Sequence, residues 1–239
     1  MLAERTTLGR SRPPTPRRGW VAKTAQVIGE LLITVGVIIL LFAVYELKIT
    51  DIRANHTQQR LERQLGQAWE RPPTGVAGQR LPNPSVDPQP GAPLALLRIP
   101  RLGDKYSKVV VEGVGTSDLQ KGPGHYPKTA LPGAVGNSVI SGHRTTYGHP
   151  FYDLDKMKVG DEIDVQVRYR TYHYRVTGIR VVSPDGVDVL LPVPGHAGVK
   201  PTQRLLTFTT CTPRFSAAQR LIVTAEMAPN DYTDATGGA

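Results

Sequence analysis

Cysteine is almost absent from this chain: Cys211 is the one example in 239 residues. That excludes an internal disulfide and any zinc or iron–sulfur centre built from several thiolates. Acidic clusters are missing too. Asp153, Asp155 and Asp161 stand apart, without the spacing of a calcium-binding loop. His143 and His149 have no Cys or acidic partners at metal-site spacing, so no metal and no other cofactor is expected. Aromatic residues make up 6%, and no basic helix with interleaved aromatics occurs, so nucleic acid is not expected as a partner. Hydrophobic residues are 39%, below the ~45–50% of an average globular chain. With 21 prolines and 24 glycines present, part of the chain is not expected to pack. The net charge of +9 is uneven: residues 1–23 hold six basic residues and one acid, leaving +4 for the other 216.

Long apolar runs are also scarce, and the single one is informative. Residues 1–26 form a polar, basic tail, expected to be disordered. Residues 27–47 follow as a hydrophobic segment whose charge-free centre, Leu31 to Tyr45, is 15 residues long. With its flanks it reaches about 20 residues, enough to cross ~30 Å of hydrocarbon as a helix. A cleaved signal peptide would have a shorter core and a small-x-small site, and AVYELKIT after Phe42 offers a poor one. The reading is an uncleaved, single-pass transmembrane helix. Five Lys and Arg in residues 8–27 against four in residues 48–67 leave its orientation open.

Residues 48–93 read as a stalk and a Pro-rich linker. Leu61, Leu65 and Trp69 recur at i, i+4 and i+8, one face of a helix, taken here as a solvated stalk helix. Seven prolines in residues 72–93 make an extended spacer. Residues 94–228 form one compact domain. Its candidate strands are 94–99, 108–113, 137–141, 162–168, 172–182, 205–210 and 220–227, short runs rich in Val, Ile, Thr and Tyr between turn residues. That is the signature of a sandwich or barrel. Short helical turns fit near Thr116–Gln120 and Phe151–Met157. Residues 229–239 read as a polar tail.

Side chains alternate along a strand. In the run ending at Cys211, Leu206 and Phe208 share one face and Thr207, Thr209 and Cys211 the other. In the following run Leu221, Val223 and Ala225 oppose Arg220, Ile222, Thr224 and Glu226. If the apolar faces line a barrel and the runs pair as a hairpin, Cys211 and Arg220 meet on the outer face across the loop Thr212–Gln219. A cation beside a thiol favours the reactive thiolate, and an Arg stabilises an oxyanion with donors that never deprotonate. A lone Cys is equally a small buried hydrophobe. A nucleophilic Cys needs a proton carrier, usually His. Of His56, His125, His143, His149, His173 and His196, His143 directly follows a strand and a Gly, a position suited to a site on a rigid scaffold.

V-I-S-G-H-R, followed some 65 residues later by L-L-T-F-T-T-C-T-P-R-F-S-A-A-Q-R, resembles the sortases, cysteine transpeptidases of Gram-positive bacteria. The family pattern of a His after a strand, T-L-x-T-C and an Arg on the next strand falls on His143, Thr207 to Cys211 and Arg220, with Phe208 where Leu is usual. GPGHYP around His125, Leu131-Pro-Gly, Gly136-Asn and the Phe151–Lys156 segment are similar to sortase core segments. The resemblance covers about 94–228 and is greatest to class E of actinobacteria.

The resemblance implies a mainly β fold, an eight-stranded barrel with short helices behind one N-terminal transmembrane helix. It implies that Cys211 attacks the Thr carbonyl of a sorting signal of LAxTG or LPxTG type, carried at the C-terminus of a secreted protein. His143 would move the proton and Arg220 hold the substrate backbone or the oxyanion. An amine of a cell-wall precursor such as lipid II would resolve the thioacyl enzyme. It implies a cytoplasmic N-terminus and an extracellular domain at the cell membrane. Tyr106 and Thr210 are the substrate-binding candidates, and Ser183 to His196 the loop that sets specificity. The other readings are a pilin-polymerising class C sortase, a cysteine peptidase with water as acceptor, and an inactive envelope binding module. An L,D-transpeptidase would need a Ser-x-Gly-Cys context that Cys211 lacks.

Overall fold

The structure, a computed structural model, describes residues 18–70, 88–168 and 170–234. The basic tail before residue 18, most of the Pro-rich linker and the last five residues lie outside the described residues. The chain divides into two compact units, Met1–Glu46 and Leu47–Ala239. Helix α1 (Arg18–Glu70) begins in the first. Its stretch Gly19–Tyr45 is long and apolar enough to span a membrane, with its side chains exposed throughout.

The second unit is a barrel. Its strands are β1 (Pro93–Arg98), β2 (Ser107–Glu112), β3 (Gly124–His125), β4 (Gly136–Ser141), β5 (Glu162–Val167), β6 (Arg170–Val182), β7 (Arg204–Thr212) and β8 (Gln219–Met227). The order β5-β1-β2-β3-β4-β7-β8-β6 closes on itself through β5–β6 pairing, Glu162↔Arg175 to Val167↔Arg170. The eight-stranded barrel expected from the resemblance is therefore present. A ninth strand, β9 (Tyr232–Asp234), adds to β6 outside the closed ring. Residues 232–234 are thus a strand rather than a polar tail; Arg170 holds Asp234 at 2.7 Å and lies 4.4 Å over the Tyr232 ring. The expected helical turns are α2 (Thr116–Leu119) and a 3-10 turn at Leu154–Lys156, with further 3-10 turns at Pro100–Leu102 and Val187–Leu190.

Alternation decides what fills the barrel. Leu97, Val110, Ile140, Ile163, Val165, Tyr174, Leu206, Phe208 and Val223 point inward and are buried. Each such side chain contributes about 1.5–3 kcal/mol when fully buried. Phe151 closes the cluster with its ring 5.1 Å from Phe208. It also explains Gly142, where a Cβ would come within 2.6 Å of the Phe151 ring.

The Leu61–Leu65–Trp69 face of α1 departs from the solvated stalk expected of it. Leu61 and Leu65 are buried, and with Trp69 they pack on Leu96, Val109 and Val111, the outward side chains of β1 and β2. Those strands read LALLR and KVVVE, near-continuous apolar runs, because both of their faces are covered.

Candidate active site

β7 and β8 pair antiparallel with Cys211 directly opposite Arg220. Their neighbours Thr210 and Leu221 are also paired and are buried, with Leu221 in the core, so Cys211 and Arg220 share the outer face, as the alternation required. β4 lies parallel on the other side of β7, in register from Gly136↔Arg204 to Ser141↔Thr209. The pairing runs on past the strand end: Gly142 N–H donates to Thr209 O at 3.2 Å, and the Thr210 hydroxyl donates to Gly142 O at 2.7 Å. His143 and Cys211 are the next residues out on these two strands. The three residues therefore come together at one end of the barrel, carried by three adjacent strands.

Cys211 and Arg220 are half-buried. The Arg220 guanidinium donates to Ala217 O at 3.0 Å and Gln219 O at 3.1 Å, bracing the β7–β8 loop from beneath. His143 Nε2 is buried and has no hydrogen-bond partner among the described residues. Burial holds the His143 pKa below its ordinary value of 6.5, because a desolvated imidazolium is penalised. The Tyr147 ring packs on it with centroids 5.0 Å apart. The outer face beneath is covered: Thr209 and Ile222 are buried there, and Val189 of the β6–β7 connection is buried as well. Asn137 pins that connection, donating to Val189 O at 2.9 Å and Leu191 O at 3.0 Å while accepting from Thr207 at 2.7 Å. A thiol and a guanidinium opposite each other in register, with an imidazole at the end of the adjoining strand, are the parts for acyl transfer through a covalent intermediate.

The sequence matches the sortase domain over residues 97–228. The chain belongs to the sortase family. It is 37% identical to Sortase SrtE1 of Streptomyces coelicolor over 226 residues, 91% of this chain but 60% of that relative's length. The solved sortase E of Streptomyces avermitilis is 39% identical and superposes with a TM-score of 0.56, covering 63% of this chain and 96% of that one. Sortase E1 of S. coelicolor, solved with a tripeptide in the active site, is 37% identical with a TM-score of 0.56, covering 64% and 96%. These relatives carry the class E name, the branch that the Cys211 segment resembles.

In this sortase the substrate-binding candidates lie apart from one another. Tyr106 donates its hydroxyl to Pro150 O at 2.8 Å and lines a cleft of about 220 Å³ with Leu102, Lys108, His149, Tyr152 and Asp153. Burial raises its phenol pKa. Thr210 is buried, with its hydroxyl committed to Gly142 O, so it bears on the site from behind through the β4–β7 seam. His125 is buried in an unrelated network, its Nδ1 at 2.7 Å from Glu112 and its Nε2 at 3.0 Å from Ala130 O. His173 pairs with Asp164 at 2.7 Å. Asp161 is bound by Arg101, which holds its carboxyl below the usual range.

One group of residues next to the site carried no signal in the sequence. Arg144 directly follows His143 and is buried. It donates to Thr212 Oγ1 at 2.8 Å and Cys211 O at 3.4 Å, pairs with Asp155 at 2.9 Å and reaches Tyr152 O at 3.4 Å. Arg214 completes the cluster: it bonds Asp155 at 3.0 Å and Asp153 at 3.1 Å and stacks over the Tyr152 ring at 4.3 Å. The cluster ties the His143 strand end, the Tyr152–Asp155 turn and the segment after Cys211 into one piece. Arg144→Leu is expected to cost ~2 kcal/mol of stability, since hydrogen bonds to charged groups contribute ~1.5–3. It should lower peptide turnover about tenfold by loosening Cys211. Arg144→Lys is expected to recover little, because an ammonium cannot reach these divergent acceptors as a planar fork does. Denaturant unfolding and turnover on the same preparations check both statements.

The buried imidazole carries a pH consequence. Its folded pKa lies below its unfolded value, so the unfolded chain binds more protons between the two, and stability rises with pH across that interval. The His143 contribution is intact above about 6.5 and is lost as the pH falls through the depressed folded pKa. His143→Asn should lose less thermal stability than the wild type between pH 7 and pH 5. Melting temperatures at the two pH values for both proteins measure it.

Proposed function

We propose that this sortase is a membrane-anchored transpeptidase acting on the Thr–Gly bond of LAxTG- or LPxTG-type sorting signals. One observation carries the reading: the strand register sets Cys211 opposite Arg220, with His143 at the end of the neighbouring strand. The Cys211 sulfur adds to the Thr carbonyl, and the resulting oxyanion is held by Arg220, which turns from its loop carbonyls toward the substrate. His143, kept neutral by burial, takes the thiol proton. The imidazolium so formed is a strong acid for the same reason and protonates the Gly nitrogen as the carbon–nitrogen bond breaks. A thioester remains on Cys211. An amine then attacks it, the carbon–sulfur bond breaks, and the thiol is regenerated as a new amide forms.

The tripeptide in the active site of Sortase E1 supports a peptide as substrate. The Gly19–Tyr45 helix supports single-pass attachment to the cell membrane, where both a secreted client and a cell-wall precursor such as lipid II are within reach. A cytoplasmic N-terminus and an extracellular catalytic barrel follow from that setting. Tyr106 contacts the sorting signal through its cleft, and Thr210 keeps β4 and β7 in register beneath it.

The test uses the full chain in detergent micelles with LAxTG and LPxTG peptides, with and without an amine acceptor, and mass spectrometry of the products. Cleavage after Thr with joining to the acceptor is expected. Hydrolysis alone, unaltered by the amine, would replace the transferase by a peptidase. No cleavage of either peptide by a folded chain would overturn the substrate assignment.

A further inference from the structure

Three successive residues just beyond His143 hold left-handed backbone: Tyr147 at φ 51, Gly148 at φ 73 and His149 at φ 35. For residues with a side chain this conformation is strained and persists only where the surroundings over-determine it. The loop is closed on itself by Phe151 N–H to His143 O at 3.1 Å and His149 N–H to Thr146 O at 2.9 Å. Further support comes from α1, nearly a hundred residues earlier. Asp51 Oδ1 accepts the Gly148 N–H at 3.0 Å and lies 3.4 Å from His149 Nδ1. Ala54 is buried against the same spot, and a Cβ on Gly148 would stand 3.0 Å from the Ala54 Cβ. Gly148 is therefore required twice, by its φ and by the close approach of the helix.

The rest of the helix is seated by design. β3 is two residues long and pairs β2 only at Val111 and Glu112. That leaves the Val109 backbone without a strand neighbour on that side. Gln58 takes the place of one: its Oε1 accepts the Val109 N–H at 2.7 Å, and its Nε2 donates to Val109 O at 3.1 Å and Lys121 O at 2.7 Å. Such pairing of a side-chain amide with both backbone groups of one residue fixes the helix along its axis. Leu61, Leu65 and Trp69 then bury the outer face of β1 and β2.

Building on the transpeptidase reading, we propose that the helical segment from Asp51 to Trp69 is a working part of the catalytic unit, and that Asp51 is a positioning residue for the loop that carries His143. The route is short: Asp51 holds Gly148 and His149, the left-handed turn presents Tyr147, and the Tyr147 ring packs on His143. The Tyr147 hydroxyl is fixed in turn by Gln120 at 3.3 Å. Releasing Asp51 lets the turn relax and withdraws the ring that orients the imidazole.

The test compares the full-chain wild type, Asp51→Ala and Asp51→Asn in detergent micelles. Amide hydrogen exchange of peptides spanning 143–150 is read beside kcat and KM for the sorting-signal peptide. Asp51→Ala should speed exchange in this loop at least tenfold and lower kcat about tenfold, with KM changed less than twofold. Asp51→Asn keeps an oxygen acceptor for Gly148 and should restore both. A melting temperature unchanged within a few degrees separates positioning from unfolding. Unaltered loop exchange in Asp51→Ala overturns the proposal, as does an Asn variant with the same kcat loss as Ala. If the wild type cleaves no peptide, the functional reading fails, while the exchange data still decide whether Asp51 holds the loop.

Discussion

Cys211→Ala is expected to abolish turnover, by at least ~10³-fold, with little change in folding. The proposed reaction divides a difficult amide exchange into two acyl transfers, and both use the same sulfur. Without it the remaining groups can bind a peptide and polarise its carbonyl, which leaves only a small residual acceleration. The fold should tolerate the change. Cys211 is half-buried at a strand end with its side chain on the outer face, and it contributes nothing to the interior cluster. Its backbone carbonyl, which Arg144 reaches, is unaltered. Cys211→Ser should be nearly as inactive, since a hydroxyl beside a neutral imidazole is a far weaker nucleophile than a thiol. Turnover and melting temperature measured together check the claim; retained turnover in either variant would point to another nucleophile.

Arg220→Ala is expected to lower kcat/KM by ~10²–10³-fold, the usual loss when one donor to an oxyanion is removed. Arg220 sits directly across the β7–β8 pair from Cys211. Its guanidinium is engaged with two carbonyls of its own loop, at 3.0 and 3.1 Å, rather than with a carboxylate. Among the described residues no ion pair has to break before it turns to a substrate, so the cost of recruiting it is small. The loop Thr212–Gln219 loses a brace in the Ala variant, but it is solvent-facing, and the melting temperature should fall by no more than a few degrees. Arg220→Lys should retain a part of the activity, because a point charge replaces a two-pronged donor. A full loss of activity with an equal loss of folded protein would mean that Arg220 is structural.

That Cys211 and Arg220 share the outer face at one end of a hairpin was legible from period-two alternation, but their direct pairing was not, because an eight-residue loop admits several registers. His143 was legible as the His at a strand end. The barrel's order was not, since β3 is two residues long and carries no pattern; β9 was missed as well, because in its three residues only Tyr232 packs on the core, while Arg170 holds Asp234. The Arg144–Asp155–Arg214 cluster was invisible for a different reason. Its members come from three segments that meet only after folding, and charged residues in loops read as solvated. The stripe of Leu61, Leu65 and Trp69 was seen but lacked a partner. The partner was signalled by LALLR and KVVVE, whose unbroken apolar runs require cover on both faces. Reading both signals together would have docked the helix on the barrel.

The most direct test of the central claim is the intact mass of this 239-residue chain after rapid acid quenching with excess sorting-signal peptide and no amine. The account predicts an added mass equal to the peptide fragment ending at Thr, held as a thioester on Cys211, released by hydroxylamine and absent from Cys211→Ala. An unmodified protein beside cleaved peptide, at every quench time, would contradict a covalent intermediate on Cys211.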